Sequence, residues 1–328
     1  MGGFAGSALA TAVTQAGGVG FIGTAFDMDS LSKELEQASS ALRGAARAHH
    51  DSTIPVGVGF LTFVAKLDEA AAVIAKYPPA IVWLFAAKEL EDYALWAQKI
   101  RSVSPQTKIW IQIGSVAGAL EVARRCAPDV LVMQGLDAGG HGFEKGAGII
   151  SLLPEAADTL RVNGFGHVPL VAAGGIVDGR GVAAALALGA DGVVMGTRFL
   201  ASTEITLPHE GYRAALLETK DGGQNTIRAK VFDELKGPNI WPVLYDGRGI
   251  VTESYTDHIG GMDIEEIRRL HKEAVEGEDA GFGIEGRRAA VWAGTGVGLV
   301  SEIKAAGDIV EEVREAARKA MEEAKARM

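Results

Sequence analysis

One histidine stands where an imidazole could do acid–base work. His141 lies in the run Gln134-Gly135-Leu136-Asp137-Ala138-Gly139-Gly140-His141-Gly142, directly after the apolar stretch 130–134. An imidazole titrates near neutrality and can take a proton from carbon or give one to an anion. Flanking glycines read as a flexible, uncrowded loop that brings the ring against a bound molecule. The plainer alternative is a histidine that caps a loop by hydrogen bonds. Its place after a strand, close to two further glycine-rich turns, favours chemistry.

Those turns are Ala172-Ala173-Gly174-Gly175-Ile176, followed by Asp178 and a helix start, and Val194-Met195-Gly196-Thr197-Arg198. Each follows a short apolar run. Glycine amides unobstructed by side chains, helped by the positive potential of a helix N-terminus, bind phosphate oxygens. One such turn could serve tight packing alone, but the pair reads as a phosphate cradle.

The other histidines read as structural or solvated: His49 and His50 at a helix end, and His167, His209, His258 and His271 in loops or on a polar helix. No His-x-x-x-His pair or carboxylate cluster has metal-ligand spacing, so no metal is expected. Cys126 is the sole cysteine, which forbids an internal disulfide and suggests a reducing compartment. Arg124 and Arg125 could lower its pKa, although helix packing is the simpler role. Trp83, Phe85, Trp96, Trp241 and Trp292 read as core, with one of Phe60, Trp83 and Phe85 placed at a strand end to line a pocket. Gly294-Thr295-Gly296-Val297-Gly298 reads as a close-approach loop or a cap for the final helices.

Short apolar runs at 19–22, 54–60, 80–84, 108–113, 130–134, 170–173 and 192–195 alternate with helical text at 30–48, 67–76, 88–100, 116–125 and 179–188. Strands apolar on both faces belong to a buried parallel sheet. The unbroken rhythm suggests a (β/α)₈ TIM barrel rather than an open doubly wound sheet. Only seven strands are assignable, so the first strand is expected to be missing ahead of a helix at 7–15. This architecture puts ligands at the C-terminal strand ends, where all three glycine-rich segments fall. The rhythm fails from 205 to 286, which reads as an inserted substrate or lid domain after a cofactor-binding barrel unit at 1–204, with 287–328 closing back on the barrel. Within that tail, 305–328 has apolar residues at helical spacing and reads as an amphipathic helix.

Composition narrows the function classes. With 32 Lys+Arg against 42 Asp+Glu, a formal charge of −10 offers no basic surface for a nucleic-acid backbone. No apolar run is long enough to span a bilayer, so no membrane partner is expected. The start Met1-Gly2-Gly3-Phe4 lacks a basic leader region, which points to an intracellular, cytoplasmic protein. Glycine is abundant, 43 in 328, without a collagen period. A homodimer is left open.

The sequence resembles the nitronate monooxygenase family, formerly the 2-nitropropane dioxygenases, which are FMN-dependent (β/α)₈ barrels, and it is most similar to fungal-type members. The resemblance is carried by 2–23, 134–142, 169–176, 190–199 and 292–299. It implies that His141 is the catalytic base and that Gln134 and Gly139 touch the flavin. It further implies that Gly174, Gly175, Met195, Gly196 and Thr197 hold the FMN phosphate and ribityl chain, with Gly2 a further cofactor contact. Family members open with a strand ending Ala-Pro-Met-Gly. Met1 and Gly2 match its end, so the strand before them is expected to have been lost from the reading frame. Many members carry Asn at the end of strand 3, where this chain has Gly59. The implied activity is oxidation of an alkyl nitronate by FMN and O2 to a carbonyl compound and nitrite, with His141 removing the α-proton if neutral nitroalkanes are accepted. Three alternatives stay open: an NAD(P)H-dependent flavin reductase of the enoyl-acyl-carrier-protein or quinone type, a flavin-free phosphate-binding lyase, aldolase or isomerase, and an inactive scaffold.

Overall fold

The computed structural model describes residues 3–23, 27–43 and 53–328. Helix α1 (Ser7–Gln15) leads into β1 (Phe21–Gly23), and β2 (Ile54–Leu61), β3 (Pro79–Phe85), β4 (Lys108–Ile113) and β5 (Val130–Gln134) follow side by side. The chain then diverts into β6 (Gly140–Phe143) and returns for β7 (Leu170–Ala173) and β8 (Gly192–Val194). The result is a curled parallel sheet of seven strands in the order β1-β2-β3-β4-β5-β7-β8. Among the described residues this is an open α/β barrel of seven strands, the number that the apolar runs predict. The crossovers run through α2 (Met28–Ala41), α3 (Leu67–Lys76), α4 (Asp92–Val103), α5 (Val116–Cys126), α6 (Ile149–Val162) and α7 (Gly179–Ala187).

The strands carry side chains to two cores, as buried parallel strands must. Val56, Val58, Val82, Leu84, Ile109, Ile111 and Leu131 face the helices, while Trp83, Val132, Val171 and Ala173 fill the barrel with Phe21 and Trp110. Helix starts are fixed by side-chain caps. Asp27 accepts from the Ser30 amide, Ser115 from the Gly118 amide, and Asp178 from the amides of Arg180 and Gly181.

Two elements depart from the sequence-based expectation. The stretch before β7 contains α6, whose Pro154 and preceding glycines mask a helix that buries Leu152, Leu153, Ala156 and Leu160. The segment at 140–143 is a strand rather than a flexible loop. Gly-His-Gly has little intrinsic strand preference, but antiparallel pairing with a distant partner supplies it. That partner lies beyond a 3₁₀ turn at Thr197–Ala201, α8 (Glu210–Glu218), α9 (Gly222–Asn225), β9 (Thr226–Ala229) and α10 (Val231–Glu234), in β10 (Tyr245–Ile250). The smaller sheet runs β6-β10-β9, with His141 opposite Gly247. It therefore draws strands from both sides of residue 205. Helices α11 (Glu253–Ile259) and α12 (Ile264–Val275), a 3₁₀ turn at Thr295–Leu299 and α13 (Ala306–Arg327) complete the chain. Among the described residues, no helix is long and apolar enough to cross a membrane.

Gly20 shows how closely α1 is seated. A Cβ there would collide with the backbone of Ala10, which no rotamer change relieves. Gly20→Ala is expected to destabilise the protein by roughly 1–3 kcal/mol. Chemical denaturation checks this, and an unchanged midpoint would show that α1 shifts freely.

Cys126 ends α5 and is buried. Burial pushes its thiol up to about 11, outweighing the cationic Arg101 and Arg125 nearby, so the lowered pKa considered from sequence is corrected. The folded protein should resist iodoacetamide at pH 8 and react at one thiol once unfolded. Rapid alkylation of the native protein would contradict this.

Candidate active site

A cavity of about 1150 Å³ runs along the inside of the sheet, from Gly18, Pro169 and Asp191 before the strands to their C-terminal ends. Gln134, Gly139, His141, Gly174, Gly175, Met195, Gly196 and Thr197 all line it. Three segments far apart in sequence thus meet at one place because β5, β7 and β8 are neighbours in the sheet. Gly2 lies outside the described residues, as do His49 and His50.

The two glycine-rich turns differ in what their glycines do. Gly174 and Gly175 have φ of +105° and +74°, backbone that a side chain would strain. At Gly196 a Cβ would meet nothing within 4 Å, and its φ of −107° suits any residue. Open space rather than backbone geometry therefore surrounds this glycine. Among the described residues, the amides of Gly175, Gly196 and Thr197 find no backbone acceptor. Thr197 Oγ1 accepts from the Gly294 amide at 3.0 Å, which leaves its O–H free to donate into the cavity. The opposite wall is stitched to the 137–139 segment. Thr295 donates its amide and its hydroxyl to the Asp137 carbonyl and carboxylate, each at 3.0 Å. Gly139 packs so tightly against Ala293 and Gly294 that a Cβ has no room.

His141 projects from β6, and its position is set on several sides. Gln134 Nε2 donates to the His141 carbonyl at 3.1 Å, holding β6 against the end of β5. The imidazole lies flat on the Trp241 indole, 3.6 Å between centroids and 6° between planes. Trp292 packs at 4.7 Å and 52°. Trp292 is itself fixed by Tyr212, whose O–H donates to the Trp292 carbonyl and accepts from its amide. Nε2 of His141 lies 2.7 Å from Asp233 Oδ1, the two side chains being 14% and 6% exposed. Such a buried charge-assisted contact is among the stronger hydrogen bonds.

Sequence reasoning assigned Trp241 and Trp292 to the core. That assignment holds in part, since both pack half-buried against apolar clusters, but it missed that they wall the imidazole. It also overlooked Asp233, 92 residues from His141, for which no local signal exists. Of the three strand-end aromatics, Trp83 and Phe85 line the cavity, whereas Phe60 packs outward on Trp96. Gln112 of β4 is buried and also faces the cavity. His209 caps α8 by accepting from the Gly211 amide, and His271 is buried against the Arg288 carbonyl. Arg198 of the Met-Gly-Thr-Arg run is structural, donating to the Glu302 carbonyl at 3.2 Å.

A buried polar atom without a partner calls for an explanation. Gln134 Oε1, which lies against Gly142, and Trp83 Nε1 are two such atoms, both on residues that line the cavity. The arrangement joins two glycine turns whose amides lack backbone acceptors, a buried amide oxygen without a donor, and a histidine held by a carboxylate.

Fold and site together describe an α/β barrel that carries, at the C-terminal mouth of its sheet, a histidine held by a carboxylate. The family model for nitronate monooxygenase matches residues 52–315, and the chain belongs to this family, whose members are flavin-dependent. It is 43% identical over 324 residues to nitronate monooxygenase npaC of Metarhizium robertsii, covering 95% of this chain and 88% of that protein. It is 39% identical over 332 residues to a nitronate monooxygenase of Neurospora crassa, covering 94% and 85%. Among solved structures, FabK from Thermotoga maritima superposes with a TM-score of 0.72 at 24% identity, covering 100% of this chain and 94% of that one. The nitroalkane oxidase of Streptomyces ansochromogenes gives 0.73 at 23%, covering 98% and 94%. At those identities the likeness is one of fold.

Proposed function

We propose that this chain uses FMN and O2 to oxidise alkyl nitronates to carbonyl compounds and nitrite, and that it accepts neutral nitroalkanes through proton removal by His141. The observation that carries the reading is a single cavity in which the Asp233-bound imidazole faces a glycine cradle, in a chain of this family.

The residues present fit FMN. The open space at Gly196, with the amides of Gly175, Gly196 and Thr197 and the Thr197 hydroxyl, suits a phosphate. The unpartnered Oε1 of Gln134 suits an N–H donor such as the pyrimidine edge of a flavin. Gly139 and Met195 line the wall between them. When bound, FMN supplies the two-electron chemistry that links the nitronate to O2. The chain's own residues bind and orient the substrate, and His141 moves the proton. Trp241 and Asp233 both come from 205–286, which supports reading that segment as the unit that closes the site.

Anaerobic mixing of the FMN-loaded protein with a nitronate should bleach the flavin's visible absorbance, while NADH leaves it unchanged. Rapid bleaching by NADH with none by a nitronate would favour a reductase instead.

A further inference from the structure

Asp233 sits in Val231-Phe232-Asp233-Glu234, and its backbone is anchored because Val231 and Phe232 pack with Leu235 and Ile267 in a buried cluster. Its Oδ1 meets His141 Nε2 at 2.7 Å. Its Oδ2 is buried and has no hydrogen-bond partner. The nearby cations are engaged elsewhere, Lys230 with Glu144 and Arg228 with Asp246. A buried carboxylate needs a compensating donor, and the imidazole is the group that supplies it. With Trp241 stacked on one ring face and Trp292 beside it, the ring is held in one orientation. Among the described residues, Nδ1 of His141 has no hydrogen-bond partner within the protein.

We propose that Asp233 is the positioning residue of His141: its carboxylate accepts the Nε2–H, fixes the neutral ring in that tautomer, and leaves the Nδ1 lone pair as the base for a neutral nitroalkane. The inference rests on the functional reading above. In the step it serves, the substrate's α-C–H bond breaks and its electron pair enters the new C=N bond, placing negative charge on the nitro oxygens. The proton passes to Nδ1, and the imidazolium so formed keeps its Nε2–H on Asp233. No electrons are exchanged with an oxidant in this step. The logic is that of a carboxylate orienting a catalytic imidazole in hydrolases, with the two ring nitrogens exchanged.

The test pairs kinetics with ¹⁵N NMR of histidine-labelled protein, His141 being assigned by the signal that His141→Asn removes. Asp233→Asn and Asp233→Leu should lower kcat on a neutral nitroalkane by roughly 10- to 100-fold with KM little changed, and the loss on the preformed nitronate should be far smaller. The wild-type ring should be the Nε2–H tautomer, and Asp233→Leu should show a mixture of tautomers. Equal losses on both substrates, undiminished nitroalkane turnover, or a wild-type ring protonated at Nδ1 would each overturn the role. A wild-type enzyme that turned over neither substrate would refute the functional reading, and the NMR result would still decide the role of Asp233.

Discussion

His141→Asn should lose ~10²–10⁴-fold of its turnover on neutral nitroalkanes, the usual cost of removing a general base, while its loss on preformed nitronates stays much smaller. The asymmetry follows from the chemistry: a nitronate arrives already deprotonated, so only the neutral substrate needs a proton acceptor. The site makes this test clean. His141 is held by Asp233, Trp241 and Trp292 rather than forming part of the cradle, and asparagine keeps polar character at Asp233. Flavin content should therefore be unchanged. Steady-state rates on a nitroalkane and its nitronate, measured with the same enzyme, decide the matter. Equal losses on the two would mean that the imidazole binds the anion rather than moving the proton.

Gly196→Val should purify folded and colourless. The backbone at Gly196 is in a conformation any residue adopts, and a Cβ there touches nothing within 4 Å, so the chain itself pays no steric penalty. The added isopropyl group would instead occupy the space that the cradle leaves for phosphate oxygens. Circular dichroism should match the parent, whereas FMN affinity should fall by roughly 10²–10⁴-fold, on the order of the energy of two charge-assisted hydrogen bonds. A yellow variant with unchanged affinity would move the phosphate elsewhere.

The barrel was largely legible because its signal is local. Each strand is a short run apolar on both faces, and the stretches at 108–113, 130–134 and 170–173 coincide with β4, β5 and β7. The Gly174-Gly175 turn was legible for the same reason, since two glycines directly after a strand mark backbone of positive φ. What failed was non-local. β6 exists through its pairing with β10, about a hundred residues away, and Gly-His-Gly carries no strand pattern of its own. α6 was hidden by Pro154 and the glycines before it. Asp233, Trp241 and Trp292 reach His141 only through tertiary packing, so no spacing rule could select them from the other acids and tryptophans.

The most direct measurement is O2 uptake by the FMN-loaded protein given a preformed alkyl nitronate, with nitrite assayed in the same vessel. The account predicts O2 consumption that requires both the nitronate and FMN, with nitrite and the carbonyl compound formed together and no need for NADH. FMN-saturated protein that consumes no O2 and releases no nitrite with any simple alkyl nitronate would contradict it.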